Sequence, residues 1–117
     1  MPTVPATYNT KMYRGADFVF EFRLNENAAP ITFDPDTQEV LFRASEGETD
    51  DDLFLYGTDA VSPKLTYDEG TSVFTLRIPG ATTLLVPFDL LVYDVDLVEG
   101  TVVDRWIRGK IDVLEQA

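Results

Sequence analysis

Two stretches carry an Asp-x-Asp spacing, Asp34-x-Asp36 in "FDPDTQE" and Asp94-x-Asp96 in "YDVDLVEG", and a third, "EGETDDD" over 46–52, concentrates carboxylates. Carboxylates grouped this way serve two chemistries, calcium binding and acid–base cleavage of glycosidic bonds. A calcium loop of the EF-hand kind needs aspartates first, a glycine at the sharp turn after them, and a closing glutamate. Here Gly47 precedes the aspartates and no acid follows at the required offset, so a solvated loop between strands is the better reading. Glycoside hydrolysis needs two carboxylates in a cleft, one of raised pKa, and nothing in the sequence selects such a pair. In a strand, residues i and i+2 share a face. Asp94 and Asp96 are therefore expected side by side and outward, neutralised by Arg105, Arg108 and Lys110 of the following strand.

The missing residue types narrow the chemistry further. There is no histidine and no cysteine in the 117 residues. The commonest general base, the commonest transition-metal ligand, the thiolate nucleophile and the usual serine triad are all excluded. No catalytic, cofactor-binding or metal-ligating residue is expected, and no cofactor. Net charge is −12. Eleven acids against two bases, Arg43 and Lys64, lie between residues 34 and 69, which supply most of that charge. Such a chain repels phosphate backbones, so nucleic acid is not an expected partner; an acidic surface favours solubility or a basic protein partner. The N-terminus lacks the apolar run of a signal peptide, and no segment approaches the roughly 18 apolar residues of a membrane helix, so no membrane association is expected.

What holds these carboxylates is a set of alternating strands. The strongest is "ADFVFEFRL" (16–24), where Phe18, Phe20, Phe22 and Leu24 alternate with Val19, Glu21 and Arg23. In a helix those phenylalanines would bury no common face; in a strand they share one. Gly15 is expected to turn the chain into it. "YNTKMYR" places Tyr8, Thr10 and Met12 on one side, and "TQEVLFRA" alternates Val40, Phe42 and Ala44 against Leu41 and Arg43. "LFLY", "KLTY" and "SVFTLRI" read as further strands, the last two joined by a hairpin at "DEGT" with Gly70 free to take positive φ. The polar "NENAAP" ends the phenylalanine strand, and "PGATTLLVP" is the one candidate for a helical turn. "FDLLVYDVDL" turns Leu91, Tyr93, Val95 and Leu97 inward. In "VVDRWIRGKIDVL" the spacing puts Val103, Ile107, Ile111 and Val113 on one face and Trp106, Arg108, Lys110 and Asp112 on the other. Arg105, the odd polar residue of that apolar face, is expected to pair with an acid at the rim.

One domain is expected from the length. Residues 1–7, with two prolines, read as an extended arm before a single domain over 8–117. The fold class is all-β: an antiparallel immunoglobulin-like β-sandwich of seven to eight strands with little or no helix. Candidate contact residues are Pro2, Val4 and Pro5 of the arm, which can add to a neighbour's sheet edge, and Tyr8 at the start of the domain, together with Trp106 and Arg108, residue types that dominate interface hot spots.

The order of motifs adds a resemblance. "YRGADFVFEFRL", a proline-containing loop before "VLFRA", "FTLRIPGATTLL", "YDVDL" and a closing "WIRGKIDVL" resemble the small immunoglobulin-like domain of tailed-phage baseplate and fibre proteins, as at the N-terminus of baseplate upper proteins. The matching positions are Tyr13, Gly15, Phe18, Ile78, Pro79, Tyr93, Asp94, Gly109, Ile111 and Val113. The resemblance implies a non-enzymatic virion structural protein, a tail or baseplate adaptor assembled in the bacterial host cytoplasm. Its partners would be other virion proteins and further copies of itself. Two alternatives stand beside it: a capsid decoration or cement protein, and a free-standing calcium- or carbohydrate-binding sandwich using the acidic loops and Tyr56, Tyr67 or Trp106.

Overall fold

The computed structural model describes residues 6–26, 29–47, 52–58 and 65–115. The chain runs β1 (Ala6–Thr7), β2 (Thr10–Tyr13), β3 (Phe18–Phe22), β4 (Asn25–Glu26), β5 (Ala29–Pro30), β6 (Gln38–Ser45), β7 (Phe54–Gly57), β8 (Leu65–Asp68), β9 (Val73–Ile78), the helical turn α1 (Gly80–Thr83), β10 (Leu90–Glu99) and β11 (Val102–Leu114). Eight of these strands have four residues or more. The polar "NENAAP" does not simply end β3: β4 and β5 pair there as a small antiparallel ladder.

The larger sheet has the order β1-β11-β10-β6-β7, with β2 also paired to β11; a second sheet has the order β3-β9-β8. The all-β expectation holds, but the expectation of purely antiparallel strands does not. β1 and β2 run parallel to β11, with Ala6 opposite Ile107 and Thr10 opposite Ile111. The reason is topological: the first and last described strands lie side by side, pointing the same way. Residues Ala6 and Thr7, read above as part of an arm, are thus a strand of the main sheet, while Met1–Pro5 lie outside the described residues.

The alternation in β3 buries Phe18, Phe20 and Phe22, with Leu24 beyond it, and leaves Val19 and Glu21 exposed. Its partner β9 adds Phe74, Leu76 and Ile78 in register. The larger sheet contributes Val40, Phe42 and Ala44 from β6, Leu91, Tyr93 and Val95 from β10, and Ile111 and Val113 from β11. Phe20 joins the layers: its ring meets Tyr93 edge-on at 5.5 Å and Phe42 at 6.2 Å, and lies 5.5 Å from Phe22. Each such aromatic pair adds about 0.5–1.5 kcal/mol beyond the area it buries.

Two local readings are corrected. The β10–β11 register slips beyond Val95, which faces Ile107, while Asp96 faces Arg105. Trp106 is the extra residue of this bulge, and a bulge resets which face each following residue takes. Val103 is consequently 55% exposed, and Trp106 is buried in the core. In the β8–β9 turn the positive φ belongs to Ser72, at 60°, not to Gly70. There the Ser72 N–H donates to the Asp68 carbonyl, and the Gly70 N–H to the Asp68 carboxylate.

Candidate interaction surfaces

The segment after β9 is held at both ends by the residues that precede β3. Gly15 takes φ 85°, a left-handed value that favours glycine. Its N–H donates to the Thr83 hydroxyl at 3.1 Å, and that fully buried hydroxyl donates to the Ala16 carbonyl at 2.8 Å. Gly80 packs against the Gly15 carbonyl so closely that a Cβ there would lie 2.5 Å from its oxygen. Asp17 accepts from the Gly80 N–H at 2.8 Å and from Arg77 at 3.0 Å. On the far side Arg14 donates from Nε to the Val86 carbonyl and from Nη2 to the Phe88 carbonyl, both at 2.9 Å. Its remaining contacts are ion pairs with Asp89 and Glu115. The Asp89 hydrogen bond pushes the guanidinium pKa up, against the opposing pull of desolvation.

Between these anchors the chain presents two leucines to solvent, Leu84 at 59% and Leu85 at 78% exposure. Leu85 is not isolated. It borders a shallow depression of about 310 Å³, lined also by Leu53, Phe54, Ala81, Thr82 and Val86. A rigidly pinned turn is here spent on displaying apolar surface. Burying those side chains against another surface is favourable by about 1.5–3 kcal/mol each.

A second apolar surface lies where the two sheets open between β1 and β3. Ala6, Tyr8, Phe20, Glu21, Phe22 and Ile107 line a slot of about 320 Å³. Tyr8 forms one wall, its ring stacked on Phe20 at 5.7 Å. The Tyr8 backbone is tied to β11 by its N–H, which donates to the Arg108 carbonyl at 3.0 Å, and its own carbonyl accepts from the Tyr93 hydroxyl. Burial, with Tyr8 adding to it, holds the Tyr93 phenol well above the usual tyrosine range.

The carboxylate pair of β10 sits as the strand spacing requires, with one difference. Arg105 Nε lies 3.1 Å from Asp96 and 3.4 Å from Asp94, and Arg108 approaches Asp94 at 3.9 Å. Asp96, expected at an exposed face, is only 1% exposed. Its hydrogen bond is the main cause that raises the Arg105 pKa. Arg105 thus belongs to the charged ladder and not to the apolar face, the bulge having moved it. Among the described residues Lys110 forms no ion pair; its backbone N–H donates to Asn9 Oδ1. Arg108, Lys110, Asn9 and Asp94 border a hollow of about 610 Å³ over Val92 and Gly109.

Of the residues singled out for contact, Pro2, Val4 and Pro5 lie outside the described residues. Tyr8 is exposed and linked to Arg108 through the backbone, so the structure brings these two together. Trp106 is not available as a contact anchor; it is 6% exposed, and its indole N–H has no hydrogen-bond partner among the described residues. The acidic run over 46–52 lies partly outside the described residues. Among those described, no group of three or more carboxylates is placed to hold a metal ion. Sequence reasoning overlooked Leu84 and Leu85. Their signal was present, since two adjacent leucines in "TTLLVP" interrupt any alternation and cannot both face one core. No protein-family model matches the chain, and no curated protein matches it.

Proposed function

We propose that this chain is a non-enzymatic structural subunit of a tailed-phage particle, a tail or baseplate adaptor that acts by contacting other particle proteins. The observation that carries the reading is the pair Leu84 and Leu85, exposed on a turn fixed by Arg14, Gly15 and Thr83. Exposed apolar patches on pinned backbone mark contact sites, because little ordering cost remains to be met on binding.

The motif order supports the particle setting. Gly15 and Pro79 belong to the turns that clamp each other, and Tyr93 and Gly109 to the contact that seats β1. An immunoglobulin-like arrangement of the two sheets is part of the same proposal. Particle proteins are repeated under rotational symmetry, so the subunit is expected in multiple copies. Quantitative mass spectrometry of purified particles tests this: the chain is expected at a fixed ratio to the tail proteins, and its absence from particles would contradict the reading.

A further inference from the structure

We propose that the opening between β1 and β3 is a docking slot for an extended, basic segment of another protein. That segment adds as a strand to β3, lays apolar side chains across Tyr8 and Phe22, and sets an arginine or lysine beside Glu21 on the outer face. Three observations carry this.

First, β3 is an edge. Among the described residues it pairs only with β9, and β1 on the facing sheet pairs only with β11. Natural edges are blunted by proline, lysine, a bulge or a covering element. Phe18–Phe22 has no proline, no lysine and no break in its register with β9. Its outer row of backbone donors and acceptors is therefore a template for a further strand.

Second, the slot beside that edge is apolar and aromatic. Tyr8, Phe20 and Phe22 supply rings, and Ala6 and Ile107 supply aliphatic walls. An incoming strand turns alternate side chains into the slot, and apolar ones bury their surface there.

Third, Glu21 is the only charged residue among the described residues that border the slot; its side chain lies on the exposed outer face of β3, opposite Phe20 and Phe22, on a chain of net charge −12. The carboxylate pairs with a cation on the incoming segment, and the overall field draws basic chains and repels acidic ones. A second copy of this acidic chain is thereby disfavoured as the occupant. The slot does not depend on the particle reading, so its failure leaves that reading untouched.

The test is calorimetric titration of the full chain with a synthetic peptide of alternating valine and arginine. Its valine–glutamate counterpart and a backbone N-methylated version serve as comparisons. The valine–arginine peptide is expected to bind and to perturb the amide resonances of Phe18–Phe22 and Ala6–Tyr8. Affinity should fall about tenfold or more in Glu21→Lys, and binding should vanish in Ala6→Trp, which fills the slot. The N-methylated and acidic peptides should not bind. Equal binding of the acidic peptide, retained affinity after N-methylation, unchanged affinity in Glu21→Lys, or no binding at all would overturn the proposal. Should Ala6→Trp fail to fold, the exposed Glu21→Lys substitution and the N-methylated peptide decide the matter.

Discussion

The Tyr93 hydroxyl donates to the backbone carbonyl of Tyr8, 85 residues earlier, in a space that exists because Gly109 beside it has no side chain. A Cβ at Gly109 would collide with that carbonyl oxygen. The contact fastens the residue that follows β1 to the middle of the main sheet and holds the Tyr8 ring over Phe20. It has a measurable signature in pH.

Burial disfavours the Tyr93 phenolate, so its folded pKa is raised above the unfolded value of about 10. Below about pH 10 both states keep the proton and the stabilisation is complete. Above it the unfolded chain ionises while the folded chain resists, so stability falls as pH rises. Tyr93→Phe is expected to cost about 1 kcal/mol at neutral pH through the lost hydrogen bond. It should also flatten the alkaline decline in urea midpoint. Part of the decline should persist, because burial also raises the Tyr56 pKa.

Phe20 joins the two sheets through its ring contacts with Tyr93 and Phe42. Phe20→Ala is expected to destabilise by about 3–5 kcal/mol in denaturant unfolding. Val19→Ala on the same strand, whose side chain points to solvent, should cost well under about 1 kcal/mol. Equal losses at the two positions would mean that β3 does not divide its faces as described.

Ser72 holds φ at 60°, a conformation that costs a residue with a Cβ about 1–2 kcal/mol. Ser72→Gly should relieve part of this and raise stability by about 0.5–1 kcal/mol, net of the greater freedom glycine brings to the unfolded chain. Gly70→Ala should be tolerated, since its φ is not positive and the nearest atom to an added Cβ is the Asp68 carboxylate oxygen at 3.3 Å. Thermal melts of the two variants check the assignment.

Local pattern carried much of this fold. The phenylalanines of β3 and the inward series Leu91, Tyr93, Val95 and Leu97 could be read directly, because a period of two has one structural meaning in a strand. What escaped was set by distant parts of the chain. The bulge at Trp106 has no local marker, yet it moves Val103 out and Trp106 in. The parallel pairing of β1 and β2 with β11 joins the two ends of the sequence, and no short window encodes it. Gly109 could be recognised as a glycine needed for close approach only once Tyr8 was seen above it. For the candidate surfaces, Tyr8 was legible as a contact candidate, whereas the two adjacent leucines Leu84 and Leu85 were visible in the sequence but their fixed display rests on the distant contacts of Arg14 and Thr83.

The central claim is that the chain works by contact through the Leu84–Leu85 turn inside a phage particle. The most direct measurement compares particles assembled with the native chain and with Leu85→Glu, quantified by mass spectrometry, alongside the melting temperatures of the two isolated proteins. The account predicts native chain at a fixed stoichiometry, Leu85→Glu reduced about tenfold or more, and melting temperatures that agree. Particles that lack the native chain, or that take up Leu85→Glu as readily, would contradict it.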